Sequence, residues 1–165
     1  MILLSVMVLS VCLGSGCVTP PIQKNMAPTI QKGDSPPDLV GQTLDGQEIH
    51  LSDYSGNVVV IIFWKSWCMA CTKELLDMKL LLRAYQKKFI LFAVNIGEPY
   101  TVVRTFRVHF ILDFPVLLDT HSVISSAYGV RAWPTTILVD REGKVRFITV
   151  GAEMESLRQE IDALL

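Results

Sequence analysis

Val58-Val-Val-Ile-Ile-Phe-Trp-Lys-Ser-Trp-Cys-Met-Ala-Cys71 is the stretch on which the fold turns. Its first seven residues, 58–64, are all apolar. That is long enough for a strand buried on both faces and too short for a globular helix. Lys65 and Ser66 end the run, and two cysteines follow with two residues between them. From residue 72 the apolar spacing changes: Leu75, Met78 and Leu82 fall on one stripe, with Leu76 and Leu80 beside it. That spacing predicts a helix over 72–85, with Lys87 and Lys88 near its negative dipole end. The segment therefore reads as buried strand, sharp turn and amphipathic helix, with the cysteines where the helix begins.

Chemistry follows from that placement. At a helix N-terminus, unpaired N–H groups and the dipole favour the thiolate of Cys68. Cys71, three residues on, shares its face and is close enough to close a disulfide. One thiol can attack a substrate disulfide and the other can resolve the mixed disulfide. A zinc site needs two more ligands, yet the chain has no second such cysteine pair, and His50, His109 and His121 are scattered. Half a metal site is the alternative, and the strand-to-helix setting favours redox chemistry.

Working outward, 39–51 reads as a hairpin about Asp45-Gly46, and 89–95 as a second buried strand. Gly97-Glu98-Pro99 is a break, with Pro99 suited to a helix start and Val102, Val103, Phe106 and Phe110 following at helical spacing. A short strand at 116–119 ends at Asp119, which can cap a helix running to Tyr128 and stopping at Gly129. Residues 135–140 and 144–150 form a strand pair around Gly143. Met154, Leu157, Ile161 and Leu164 mark a final helix over 152–165. This order predicts an α/β domain in which an antiparallel pair is added to a parallel sheet, with helices on both faces.

Upstream the character changes. Residues 1–16 carry no charge, and 2–13 are almost wholly apolar, as in the core of a secretory signal. Gly14-Ser15-Gly16-Cys17 places small residues before a cysteine, the pattern of a lipoprotein cleavage site in which Cys17 becomes the lipidated terminus. An uncleaved anchor and simple secretion are the alternatives; the run is somewhat short for a membrane span. Six prolines and glycines between 18 and 37 exclude a helix or central strand and describe a tether. The expected division is a signal or anchor at 1–16, a lipidated cysteine and tether at 17–36, and a folded domain at 37–165. With Cys12 in the signal and Cys17 in the anchor, Cys68 and Cys71 are the remaining thiols. The 165-residue chain has a net charge of -1, with no acidic or basic tail, which argues against a nucleic-acid partner.

Phe63-Trp-Lys-Ser-Trp-Cys-Met-Ala-Cys71, with the later Trp133-Pro134-Thr135, resembles the active-site pattern of thioredoxin-like proteins. The nearest branch is the membrane-anchored, extracytoplasmic thiol–disulfide oxidoreductases of the cytochrome c maturation type, AhpC/TSA- or redoxin-like in kind. The resemblance covers roughly 35–165. It implies a thioredoxin-like mixed sheet flanked by helices with an N-terminal hairpin, and a protein-disulfide reductase that needs no cofactor. It implies disulfide-containing clients such as apocytochrome c, a membrane thiol-transfer electron donor, and a location on the extracytoplasmic (periplasmic) face of a bacterial membrane.

The resemblance also assigns residues. Cys68 and Cys71 are the redox pair. Pro134, otherwise an ordinary strand-entry proline, is expected in a cis bond facing them, with Trp133 beside it. Trp67 is expected on the rim as substrate surface rather than in a core gap, while Met69 and Ala70 lie between the cysteines and tune the pair. Val94-Asn-Ile-Gly-Glu98 matches a segment whose glutamate lies near the cysteines, so Glu98 is expected to move a proton for Cys71. Ile62 departs from thioredoxin itself, which has a buried aspartate there; either Glu98 takes over or the exchange relies on bulk water. Lys65 stands where relatives usually have a small residue, and either stabilises the Cys68 thiolate or extends outward along its stem. Two rivals remain: an oxidant that inserts disulfides, and a metal-delivery module presenting Cys68 and Cys71.

Overall fold

In the computed structural model, which describes residues 30–165, the apolar run lies in the middle of one seven-stranded sheet. The elements in chain order are β1 (Val40–Thr43), β2 (Glu48–His50), β3 (Val59–Trp64), α1 (Met69–Ala84), β4 (Ile90–Ile96) and α2 (Tyr100–Phe110). They continue with β5 (Val116–Asp119), α3 (Val123–Ala127), β6 (Thr135–Val139), β7 (Val145–Val150) and α4 (Met154–Asp162). The strand order is β2-β1-β5-β4-β3-β6-β7. β3 runs parallel to β4 and antiparallel to β6, and β4 runs parallel to β5. The hairpin β1–β2 joins the sheet through an antiparallel pairing of β1 with β5.

Every residue of β3 is buried, as its unbroken apolar run requires. Alternate side chains serve two cores. Val60, Ile62 and Trp64 face α1, α2 and α4, packing with Leu75, Met78, Val103, Leu157 and Ile161. Val59, Ile61 and Phe63 face the other side, with Ile124, Tyr128, Leu39 and Ile49. The crossovers β3-α1-β4 and β4-α2-β5 step the same way along the sheet, so their common right-handedness puts both helices on one face. The thioredoxin-like mixed sheet with an N-terminal hairpin is the fold that the sequence predicts.

Some boundaries differ for local reasons. The helix expected from Asp119 to Tyr128 is reduced to α3, because Ser122 adopts φ 56° and delays its start. Asp119 still caps it: the backbone N–H groups of Ile124 and Ser125 donate to its carboxylate at 3.0 and 2.8 Å. Leu80, beside the stripe of α1, is exposed rather than packed. The signal or anchor at 1–16, Cys17 and the tether up to residue 29 lie outside the described residues. The end of that segment is seated on the domain: Gly33 N–H donates to the Val145 carbonyl at 2.7 Å, and Val145 N–H to that of Asp34 at 2.9 Å. Among the described residues, no helix is long and apolar enough to cross a membrane.

Candidate active site

The site lies past the carboxyl ends of β3 and β4, where the loops to α1 and α2 meet the entry to β6. β3 ends at Trp64, whose ring is fully buried and packs on Phe106 with centroids 4.7 Å apart. Three residues then turn the chain into α1, closed by a bond from Cys68 N–H to the Lys65 carbonyl at 3.2 Å. Cys68 is the N-cap of α1, and its sulfur accepts from the Cys71 N–H at 3.1 Å. The helix end thus directs a backbone donor at this sulfur, which favours its negative form when the pair is reduced. Cys68 and Cys71 are joined by a disulfide. They differ in access: Cys68 is 9% exposed and Cys71 0%.

Across the cysteines, the Trp133–Pro134 peptide bond is cis, and the Trp133 carbonyl oxygen lies 3.9 Å from Cys68 Sγ. Pro134 is buried. Trp67, at 67% exposure, meets Trp133 edge to face with ring centroids 5.7 Å apart, and Met69 is 88% exposed. Trp67, Met69, Ala70 and Trp133 therefore surround the more accessible sulfur with largely uncharged surface.

Glu98 is buried beside this loop, and its carboxylate is fully engaged. It accepts from Ser66 N–H at 2.7 Å, Ser66 Oγ at 2.6 Å and Asn95 Nδ2 at 2.6 Å. These bonds tie the loop before Cys68 to the end of β4. Replacing Glu98 with alanine leaves the Ser66 N–H and the Asn95 amide without their acceptor in a buried place. The expected cost is about 2 kcal/mol of stability, read as a lower midpoint in urea unfolding.

The acid that the sequence reading passed over is Glu74. It lies one turn past Cys71 on the same buried stripe, as Cys71, Glu74, Leu75, Met78 and Leu82. Its side chain is fully buried; Thr136 Oγ1 donates to Oε1 at 2.6 Å, while Oε2 has no protein partner. Burial is the main cause that pushes its carboxyl up to about 7, with the Thr136 bond opposing. Thr136 stands opposite Ile62 in the β3–β6 register. Through Thr136, the Glu74 carboxyl on the neighbouring helix is placed near the position on β3 from which an acid is missing, a third candidate beside Glu98 and bulk water. The signal was present: residue 74 is three past Cys71, on the stripe defined by Leu75 and Met78.

A disulfide at the N-terminus of a helix, set against a cis-proline loop on a thioredoxin-like sheet, defines a thiol–disulfide oxidoreductase. The chain belongs to the AhpC/TSA family, whose model matches residues 32–148. It is 39% identical to the thiol-disulfide oxidoreductase ResA of Geobacillus thermodenitrificans (strain NG80-2) over 134 residues, which are 80% of this chain and 77% of that one. It is 34% identical to the thioredoxin-like protein YneN of Bacillus subtilis (strain 168), covering 81% and 80% of the two chains. Among solved structures it resembles a candidate thiol:disulfide interchange protein DsbE from Chlorobium tepidum, with TM-score 0.77 and 34% identity over 82% of this chain and 99% of that one. The protein is thus an enzyme homologous to ResA- and DsbE-type oxidoreductases and works through a redox-active cysteine pair.

Proposed function

We propose that the protein works in the reducing direction on disulfides of client proteins outside the cytoplasm, apocytochrome c being the client class suggested by the resemblance. The observation that carries this reading is the buried Glu74 carboxyl on the stripe of Cys71. When ionised, it opposes a second negative charge on Cys71, which disfavours the thiolate and so the reduced pair. A pair that gives up its electrons readily is a reductant.

In this reading the Cys68 thiolate attacks one sulfur of the client disulfide. The client S–S bond breaks, a Cys68–client disulfide forms, and the first client sulfur leaves as a thiolate that takes a proton from water. Cys71 gives its proton to the Glu74 carboxylate and attacks Cys68 Sγ. The second client sulfur leaves and is protonated. Two electrons pass from the cysteine pair to the client, and the Cys68–Cys71 disulfide is the product. Glu98 supports this chemistry by holding Ser66, and with it the approach to Cys68. Trp67, Met69, Ala70 and Trp133 supply the client surface, and the buried Pro134 fixes the course of the chain at its Trp133 end. A second dithiol, donated by a membrane thiol-transfer protein, restores the reduced pair. Attachment through residues 1–16 or a lipidated Cys17 would keep the domain, from 37 onward, near that donor on the periplasmic side of a bacterial membrane.

The deciding measurement is the equilibrium of the Cys68–Cys71 pair against a thiol buffer of known potential. The expected value lies below about -250 mV. A value near about -120 mV, as in strongly oxidising pairs, would reverse the direction of electron flow.

A further inference from the structure

The one charged side chain on the Cys68 loop is Lys65, the first residue after β3. Its ammonium sits 4.7 Å from the centroid of the Trp133 ring and 5.8 Å from that of Trp67. It also lies close to Gly97: a Cβ built there would stand 3.7 Å from Lys65 Nζ and 3.7 Å from Ser122 Oγ. The ammonium is therefore gathered among the loop after β4, the loop before α3 and the entry to β6. Its stem is half-buried. Among the described residues, no carboxylate lies within ion-pair distance of it. Glu98, next to Gly97, has both oxygens occupied by Ser66 and Asn95.

An ammonium held by indole faces gains from the rings, but the rings accept no conventional hydrogen bond from its remaining N–H groups. A cation left in this state binds a carboxylate well, because part of its hydration is already removed. The two indoles beside it, with exposed Met69 beyond, suit the stem and backbone of an extended peptide. Trp133, whose ring centroid lies 4.7 Å from the ammonium, also sets its carbonyl oxygen 3.9 Å from Cys68 Sγ, so a group held at Lys65 shares this residue with whatever is bonded to Cys68. Of the other charges nearby, Arg131 is exposed two residues before Trp133 and has the same sign, while Lys73 of α1 is paired with Asp77 at 2.7 Å.

We propose that Lys65, held between Trp133 and Trp67, is a specificity-determining residue that selects client segments carrying an aspartate or glutamate beside the disulfide being reduced. The inference rests on the reductase reading above. It assigns the client's charge preference to one side chain that takes no part in the bond exchange itself.

The test uses the full chain, reduced beforehand, and three peptides that differ only in a Glu, Gln or Lys next to one internal disulfide. Second-order rate constants for peptide reduction are measured at low ionic strength. The Glu peptide is expected to react about fivefold faster than the Gln peptide, and the Lys peptide slower than both. In Lys65→Met the Glu-to-Gln ratio falls to about one, whereas Lys65→Arg keeps it. Because the readout is a ratio, a general loss of activity or folding cancels. Salt at about 0.5 M compresses the wild-type ratio. A ratio unchanged in Lys65→Met overturns the proposal, as does a wild type with no preference. An equal fall for all three peptides in Lys65→Met also overturns it, because Lys65 then acts on the Cys68 thiolate and not on the client. If the wild type reduces none of the peptides, the reductase reading falls and this proposal with it.

Discussion

Cys71→Ala will leave the protein covalently joined to its client. In the structure Cys68 is the sulfur with an opening to solvent, while Cys71 is sealed beneath it in the first turn of α1. A client can therefore reach Cys68, and only Cys71 is placed to break the resulting bond from the protein side. Without Cys71, attack proceeds and resolution does not. Turnover with a protein disulfide is expected to fall by at least about a thousandfold. The adduct should accumulate one-to-one, visible as a mass equal to the sum of the two chains and lost on treatment with reductant. Cys68→Ala should give neither turnover nor adduct. An adduct that forms in the Cys68 variant and not in the Cys71 variant would exchange the two roles.

Glu74→Gln should separate stability from catalysis. In the folded protein the carboxyl is pushed up to about 7, whereas a glutamate side chain free in water titrates near 4.5. Between those values the folded state holds a proton that the unfolded state has lost. Stability therefore falls as pH rises through that window, and below it the contribution is fully present. Two and a half pH units correspond to about 3 kcal/mol. Glutamine does not titrate, so urea unfolding of the disulfide form should show the variant gaining on the wild type by about that amount between pH 4 and pH 8. Over the same range the reduced variant should resolve mixed disulfides about a hundredfold more slowly, because Cys71 has lost its proton acceptor. Parallel stability curves for the two proteins would mean that Glu74 does not titrate in this window, and the assigned role would fail with it.

Much of this arrangement was legible in the chain. The run 58–64, the cysteine spacing and the stripe of α1 specify strand, turn and helix from local pattern alone. Asp119 could be read as a cap because it lies within six residues of the groups that it binds. Other features depend on residues far apart in sequence. Ser66 and Glu98 are 32 positions apart, and the cation of Lys65 meets the ring of Trp133 only after β3 and β6 have paired. Glu74 is a different case. Its place on the stripe was visible, but the leucines around it described an ordinary amphipathic helix, and a glutamate is rarely buried without a strong local reason. The reason, Thr136, belongs to a strand 62 residues later.

The hairpin β1–β2 has a consequence for how the protein behaves among its clients. Any open strand edge invites an extended chain to add itself as another strand. β5 would be such an edge if β1 did not lie against it. The strand then left outermost, β2, is three residues long with Glu48 and His50 at its ends, a poor template for further growth. At the opposite border, Gly33 and Asp34 occupy the start of β7, and Arg146 adds an exposed charge just beyond. The β2 border and the start of β7 are thus blunted against chance adhesion. A chain that meets Cys68 finds little open strand at these two places to which it could add itself.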